Sequence, residues 1–246
     1  MNDKLGTFPN CTIATVIMAL AVTCGAPGCG PGMGKGDSLA EKGDLAGAAQ
    51  VYRAIYDKKP TNRVALIKLG RTLYLSNMKR KADGEKVSGA DWKETFDLLD
   101  RGKKVEPVPP EVDPIRDFEL ADSAFEAGKA LTAEGKSADA AKLLDAAKAN
   151  GRTGAQIEEA LYRARLENGD KDGAVEAALE AIAENSDEGA LFREAALVAF
   201  DRGMMPECHH LMLASEGLAP SGIKFKTHKQ IKSLVSRSYF YLTTGL

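Results

Sequence analysis

Polar and small residues interrupt the apolar ones at short intervals along most of this chain, and alanine is abundant from residue 121 to 200. That pattern suits many short helices packed through small side chains. Runs of alternating β-branched residues are missing, so no sheet is expected. Two stretches stand apart. Residues 11–23, CTIATVIMALAVT, form one uncharged apolar run. Residues 226–243 read as an amphipathic helix, with Ile231, Leu234, Val235, Ser238 and Leu242 on one stripe and Lys226, Lys229, Lys232 and Arg237, preceded by Lys224, opposite it.

The helices are punctuated at a fixed interval. Gly135, Gly169 and Gly203 are 34 residues apart, and so are Gly43 and Asn77. Gly, and less often Asn, adopts the left-handed conformation that ends a helix. Other positions keep the register. Seven residues before the turn come Gly36, Gly70, Gly128, Tyr162 and Ala196, and five after it come Ala48, Ala140, Ala174 and Cys208. Small residues there let the two helices of a hairpin approach closely. With the unit GDSLAEKGDLAGAAQVYRAIYDKKPTN as its most specific stretch, this pattern resembles the tetratricopeptide repeat (TPR) family. The resemblance implies an all-α fold: an α-solenoid of about five helical hairpins over residues 36–222, closed by residues 226–243 as a C-terminal capping helix.

Unit two departs from the period. Thirteen extra residues fall near 76–91, and eleven more in VEPVPPEVDPIRD. The proline-rich part reads as an extended spacer. The expected organisation is a signal peptide (1–28), a flexible Gly/Pro tether (29–35), an N-terminal half (36–106), a link (107–116) and a C-terminal half with its cap (117–246). One continuous superhelix with two surface loops is the alternative.

The apolar run at 11–23 is short for a bilayer-spanning helix, which needs about 20 apolar residues. It matches the core of an export signal. Ala26-Pro27-Gly28-Cys29 resembles the lipobox of bacterial lipoproteins, which implies lipidation at Cys29, with Cys24 as the alternative. The glycine after either cysteine resembles the sorting signal for an outer membrane facing the periplasm. Gly34-Lys35 is followed by Gly36 rather than Ser or Thr, and no strand precedes it, so a phosphate-binding loop is not expected.

With 33 Lys or Arg against 35 Asp or Glu, a dedicated nucleic-acid binder is not expected. The repeat register places Arg71, Lys129, Arg163 and Arg193 in a ladder along the inner face, with Tyr74, Phe125 and Phe200 between them. Guanidinium forks suit carboxylates and aromatic rings anchor apolar groups. The ladder is therefore a candidate protein-binding groove for an acidic and apolar segment, alongside the reading that these are solvated charges beside core aromatics.

Glu207-Cys208-His209-His210 does not space ligands for a metal on a helix. No catalytic grouping is found, and neither an enzyme nor a cofactor is expected. The expected role is a lipid-anchored scaffold in a bacterial cell envelope, similar in plan to the TPR lipoproteins that assemble secretin channels for pili. The alternatives are a regulatory lipoprotein that activates an envelope enzyme such as a peptidoglycan synthase, or a binder of small molecules or peptidoglycan fragments.

Overall fold

The computed structural model describes residues 32–217. Cys24, Cys29, the apolar run at 11–23 and the expected capping helix at 226–243 lie outside the described residues. Among the described residues the chain is all-α, ten helices in five successive hairpins. In chain order these are α1 (Met33–Glu41) with α2 (Leu45–Lys58), α3 (Arg63–Ala82) with α4 (Gly89–Lys103), α5 (Asp117–Ala133) with α6 (Ser137–Ala149), α7 (Ala155–Glu167) with α8 (Lys171–Ala183), and α9 (Gly189–Asp201) with α10 (Met205–Ser215). Helix α1 starts at Met33, which is buried, so Met33–Lys35 belong to the first hairpin rather than to the expected tether. None of the described helices is long and apolar enough to cross a membrane.

One device closes the hairpins. Gly43, Gly135, Gly169 and Gly203 all have positive φ, between 70° and 83°. At each, the turn residue's amide bonds three residues back and the next amide five back, as in Gly135 N to Thr132 O and Lys136 N to Leu131 O. This motif satisfies carbonyls that the helix end leaves open, and it requires the left-handed conformation that glycine adopts without strain. Asp44 and Asp170, each the residue after its turn glycine, then cap the returning helix by accepting from Gly47 N and Gly173 N at 2.9 and 3.0 Å.

The second hairpin corrects one expectation. Asn77 is not a turn residue; it is buried within α3. The turn falls at Gly84, with φ of 81° and the same two hydrogen bonds, Gly84 N to Lys81 O and Glu85 N to Arg80 O. The displacement is seven residues, close to two helical turns. An α-helix lengthened by about two turns keeps nearly the same face inward.

The described residues divide into two compact units, residues 32–79 with 98–115, and residues 80–97 with 116–217. The division passes through α3 and α4 instead of between 106 and 117, where the sequence placed it. In the first unit, Gly36 sits against the Tyr52 ring and Gly70 against the backbone of Leu98 and Leu99. The proline-rich stretch belongs to this unit. The Arg71 guanidinium donates to Pro114 O at 2.8 Å and Asp113 O at 3.4 Å, and Ile115 is buried.

In the second unit α5 to α10 stack as a solenoid. Each first helix packs on its own second helix, and α6 meets α7 as α8 meets α9. The core between them is made largely of alanine: Ala140 and Ala174, at the expected offset, and Ala147 and Ala181 are fully buried. Ion pairs tie one hairpin to the next. Arg165 on α7 reaches Asp145 on α6 at 2.9 Å and also donates to Gly173 O on α8. Lys148 on α6 pairs with the buried Glu158 of α7 at 2.7 Å. At the near end, Glu134 accepts from Gly89 N at 2.8 Å and caps α4 from a distance in sequence. That bond, then Lys136, holds the Glu134 carboxyl below its usual range.

Candidate protein-binding cleft

Helices α5 and α7 are neighbouring first helices in the second unit. Between them lies a cleft of about 500 Å³. Phe125, Lys129, Thr132 and Ala133 line it from α5, and Gln156, Glu159, Ala160, Arg163 and Glu167 from α7. Both sets recur at three- and four-residue steps, so each is one face of its helix.

The floor is built around Phe125. Its ring is buried, with the Lys129 ammonium 5.1 Å from the centroid and the Arg152 guanidinium at 4.3 Å. Arg152, in the turn between α6 and α7, is held by Asp122 at 2.6 Å. A cation over an aromatic face is drawn to the negative charge density of the ring. Phe125 therefore fixes Lys129 from below, while the Lys129 residue stays exposed.

The charges of the cleft are not equally occupied. Glu159 accepts from Ser186 Oγ and Glu167 from Ser137 Oγ, both at 2.6 Å. These carboxylates are engaged by hydroxyls of adjoining helices and turns. Among the described residues, neither Lys129 nor Arg163 has a carboxylate in salt-bridge range. A cleft with two held-back acids, two cations without a carboxylate partner and an aromatic floor offers hydrogen-bond donors to an incoming acceptor.

No protein-family model matches the chain, and no curated protein matches it. Solved structures with a similar helical arrangement do exist. One is titled "Crystal structure of MamA": it is 19% identical, the match covers 74% of this chain and 93% of that one, and the TM-score is 0.42. A second, of MamA AMB-1, is 18% identical over 76% and 88% of the two chains, with a TM-score of 0.43. A third, MamA residues 41 to the end from Desulfovibrio magneticus RS-1, is 13% identical over 75% and 91%, at 0.39. The fold assignment rests on the helix order and the turn chemistry of the chain itself.

Of the seven residues in the ladder, Phe125, Lys129 and Arg163 meet in this cleft. The other four do not line it. Arg71 and Tyr74 are buried in the first unit, 9% and 5% exposed. Arg71 is committed to the carbonyls of Asp113 and Pro114, because the proline-rich stretch packs on it. Arg193 and Phe200 are exposed on α9. The register missed Gln156, Ala160 and Glu167, which lie on the α7 face that also carries Arg163 and were legible there at helical spacing.

Tyr162 and Cys208 hold repeat offsets without joining the cleft. Tyr162 fills an offset where three other units have glycine, and it is 1% exposed. Burial first, and then the Glu194 carboxylate, push its hydroxyl well above the usual phenol range. Cys208 is partly buried, and burial raises its thiol above the usual range.

Proposed function

We propose that this protein is a scaffold that binds a protein partner through the α5–α7 cleft. The observation that carries the reading is that Lys129, over the buried Phe125 ring, and Arg163, neither with a carboxylate partner, line a single cleft. A partner segment with an acidic and an apolar side chain meets both needs: the carboxylate takes the cations, and the apolar group covers Ala133 and Ala160. Stacked helical hairpins are well suited to this role, since they present an extended surface on a rigid frame.

In the same reading, the protein is exported, lipidated at Cys29 and held in the cell envelope, where it serves the assembly of a larger complex such as a secretin channel. The apolar run at 11–23 and the small residues leading into Cys29 support that placement.

A photo-crosslinking residue at Ala160, used in intact cells, tests the cleft. It is expected to trap one partner, and the Lys129→Glu, Arg163→Glu double variant should reduce the crosslink at least ~10-fold, the equivalent of about 1.4 kcal/mol. Undiminished crosslinking in a variant with unchanged circular dichroism sinks the cleft. Mass spectrometry of the mature N-terminus tests the anchor: acyl-Cys29 supports it, and an intact Met1 removes it.

A further inference from the structure

Asparagine is followed by glycine at two places in the chain, Asn150-Gly151 and Asn168-Gly169. Both pairs fall in the turn that ends a helix, α6 and α7, with the glycine at positive φ of 95° and 83°. An asparagine in front of glycine is open to one spontaneous reaction, because no side chain shields the glycine nitrogen. That nitrogen attacks the Asn Cγ, the Cγ–Nδ2 bond breaks and ammonia leaves. Solvent water then opens the resulting cyclic imide on either side, which leaves aspartate or isoaspartate. No oxidant or reductant is needed.

The turns hold both sites back by the same means. Asn168 has ψ of −4° and Asn150 of 15°, whereas ring closure needs the glycine nitrogen brought round to the side of Cβ. The two glycine amides are also engaged, Gly169 N donating to Leu166 O at 3.0 Å and Gly151 N to Lys148 O at 2.9 Å. The turn must therefore open before either asparagine reacts. The anchoring of the two turns differs. Asn150 is half-buried, its Nδ2 donates to Ala146 O at 2.9 Å, and the nearby Arg152 is tied to Asp122 at 2.6 Å. Asn168 is exposed, and its side chain makes no hydrogen bond among the described residues. The stretch after it is pinned by Asp170, which accepts from Gly173 N at 3.0 Å.

We propose that Asn168 is a modification site, which deamidates at a rate set by opening of the α7–α8 turn, while Asn150 is protected. The product matters to the hairpin. Aspartate at 168 adds a negative charge at the C-terminal end of α7, beside Glu167 and Asp170, where the helix dipole disfavours an anion. Isoaspartate adds a carbon to the main chain and displaces the Gly169 and Asp170 amides from Leu166 O and Arg165 O. Deamidation thus weakens one turn of the solenoid in proportion to the time that turn has spent open.

Incubation of the full chain in mildly alkaline buffer tests this, with peptide mass spectrometry and isoaspartate methyltransferase labelling as readouts. Each site is referred to a synthetic peptide of its own sequence, which removes the intrinsic difference between the two. Asn168 should react at least ~10-fold more slowly than its peptide, since reaction tracks the open population, and Asn150 at least ~10-fold more slowly again. Asp170→Ala should speed Asn168 roughly 5-fold and leave Asn150 unchanged. Reaction of Asn168 at its peptide's rate overturns the proposal, as does an Asn150 that reacts as fast as Asn168. An Asn168 that stays intact, or whose rate Asp170→Ala does not change, overturns it too. So does equal acceleration of both sites in that variant, because the opening is then of the whole solenoid and not of one turn.

Discussion

Gly128 and Leu144 touch so closely that a Cβ on the glycine would stand 2.5 Å from Leu144 Cγ and 3.1 Å from Ala140 O. The two helices of the third hairpin, α5 and α6, meet at this point. Gly128→Ala therefore forces α5 and α6 apart. Overpacking costs about 1–3 kcal/mol, offset by up to ~1 kcal/mol of helix propensity, so a net loss of about 1–2 kcal/mol is expected in urea unfolding. Gly34→Ala is the control. Nothing lies within 4 Å of its would-be Cβ on α1, and that change should be neutral or stabilising by a few tenths of a kcal/mol.

Asp170 holds the first turn of α8 through Gly173 N. Asp170→Ala leaves that amide without its acceptor and should cost about 1 kcal/mol, while Asp170→Ser should restore most of it. Thermal unfolding of the three proteins side by side checks the order. An alanine variant as stable as the parent would mean that the cap contributes nothing to this turn.

His210 is buried on α10, and burial, then the neighbouring His209, hold it below its usual 6.5. The unfolded chain takes up that proton more readily than the folded one. The stabilisation is therefore full above about pH 6.5 and is lost as pH falls through the lowered folded value. Between pH 7 and pH 5 the melting temperature should drop, and the drop should be smaller in His210→Leu. Equal drops in the two proteins would place the pH response elsewhere.

Much of this was legible because a repeat copies its own geometry. The 34-residue spacing located Gly43, Gly135, Gly169 and Gly203, which all adopt positive φ. The same register brought Phe125, Lys129 and Arg163 to one cleft. It failed where a unit stops being a copy. Asn77 stood at the right count, but α3 continues for two more turns, and its inward face gives no break to mark the change. Arg71 stood at the right offset, but the proline-rich stretch supplies carbonyls there that no other unit has. The capping of α4 by Glu134 had no sequence signal at all, since donor and acceptor lie 45 residues apart.

The relocated turn at Gly84 has a mechanical reading. Growth by seven residues separates reach from aim: the hairpin becomes longer while its side chains keep their bearing to within about 20°. Insertions of three or four would turn that bearing by about 60° or 40°, and five by about 140°, well off the axis of their neighbours. A lineage of such chains is thus free to vary the length of one arm in near-whole turns, like notches on a ratchet, and the rest of the stack has no need to readjust.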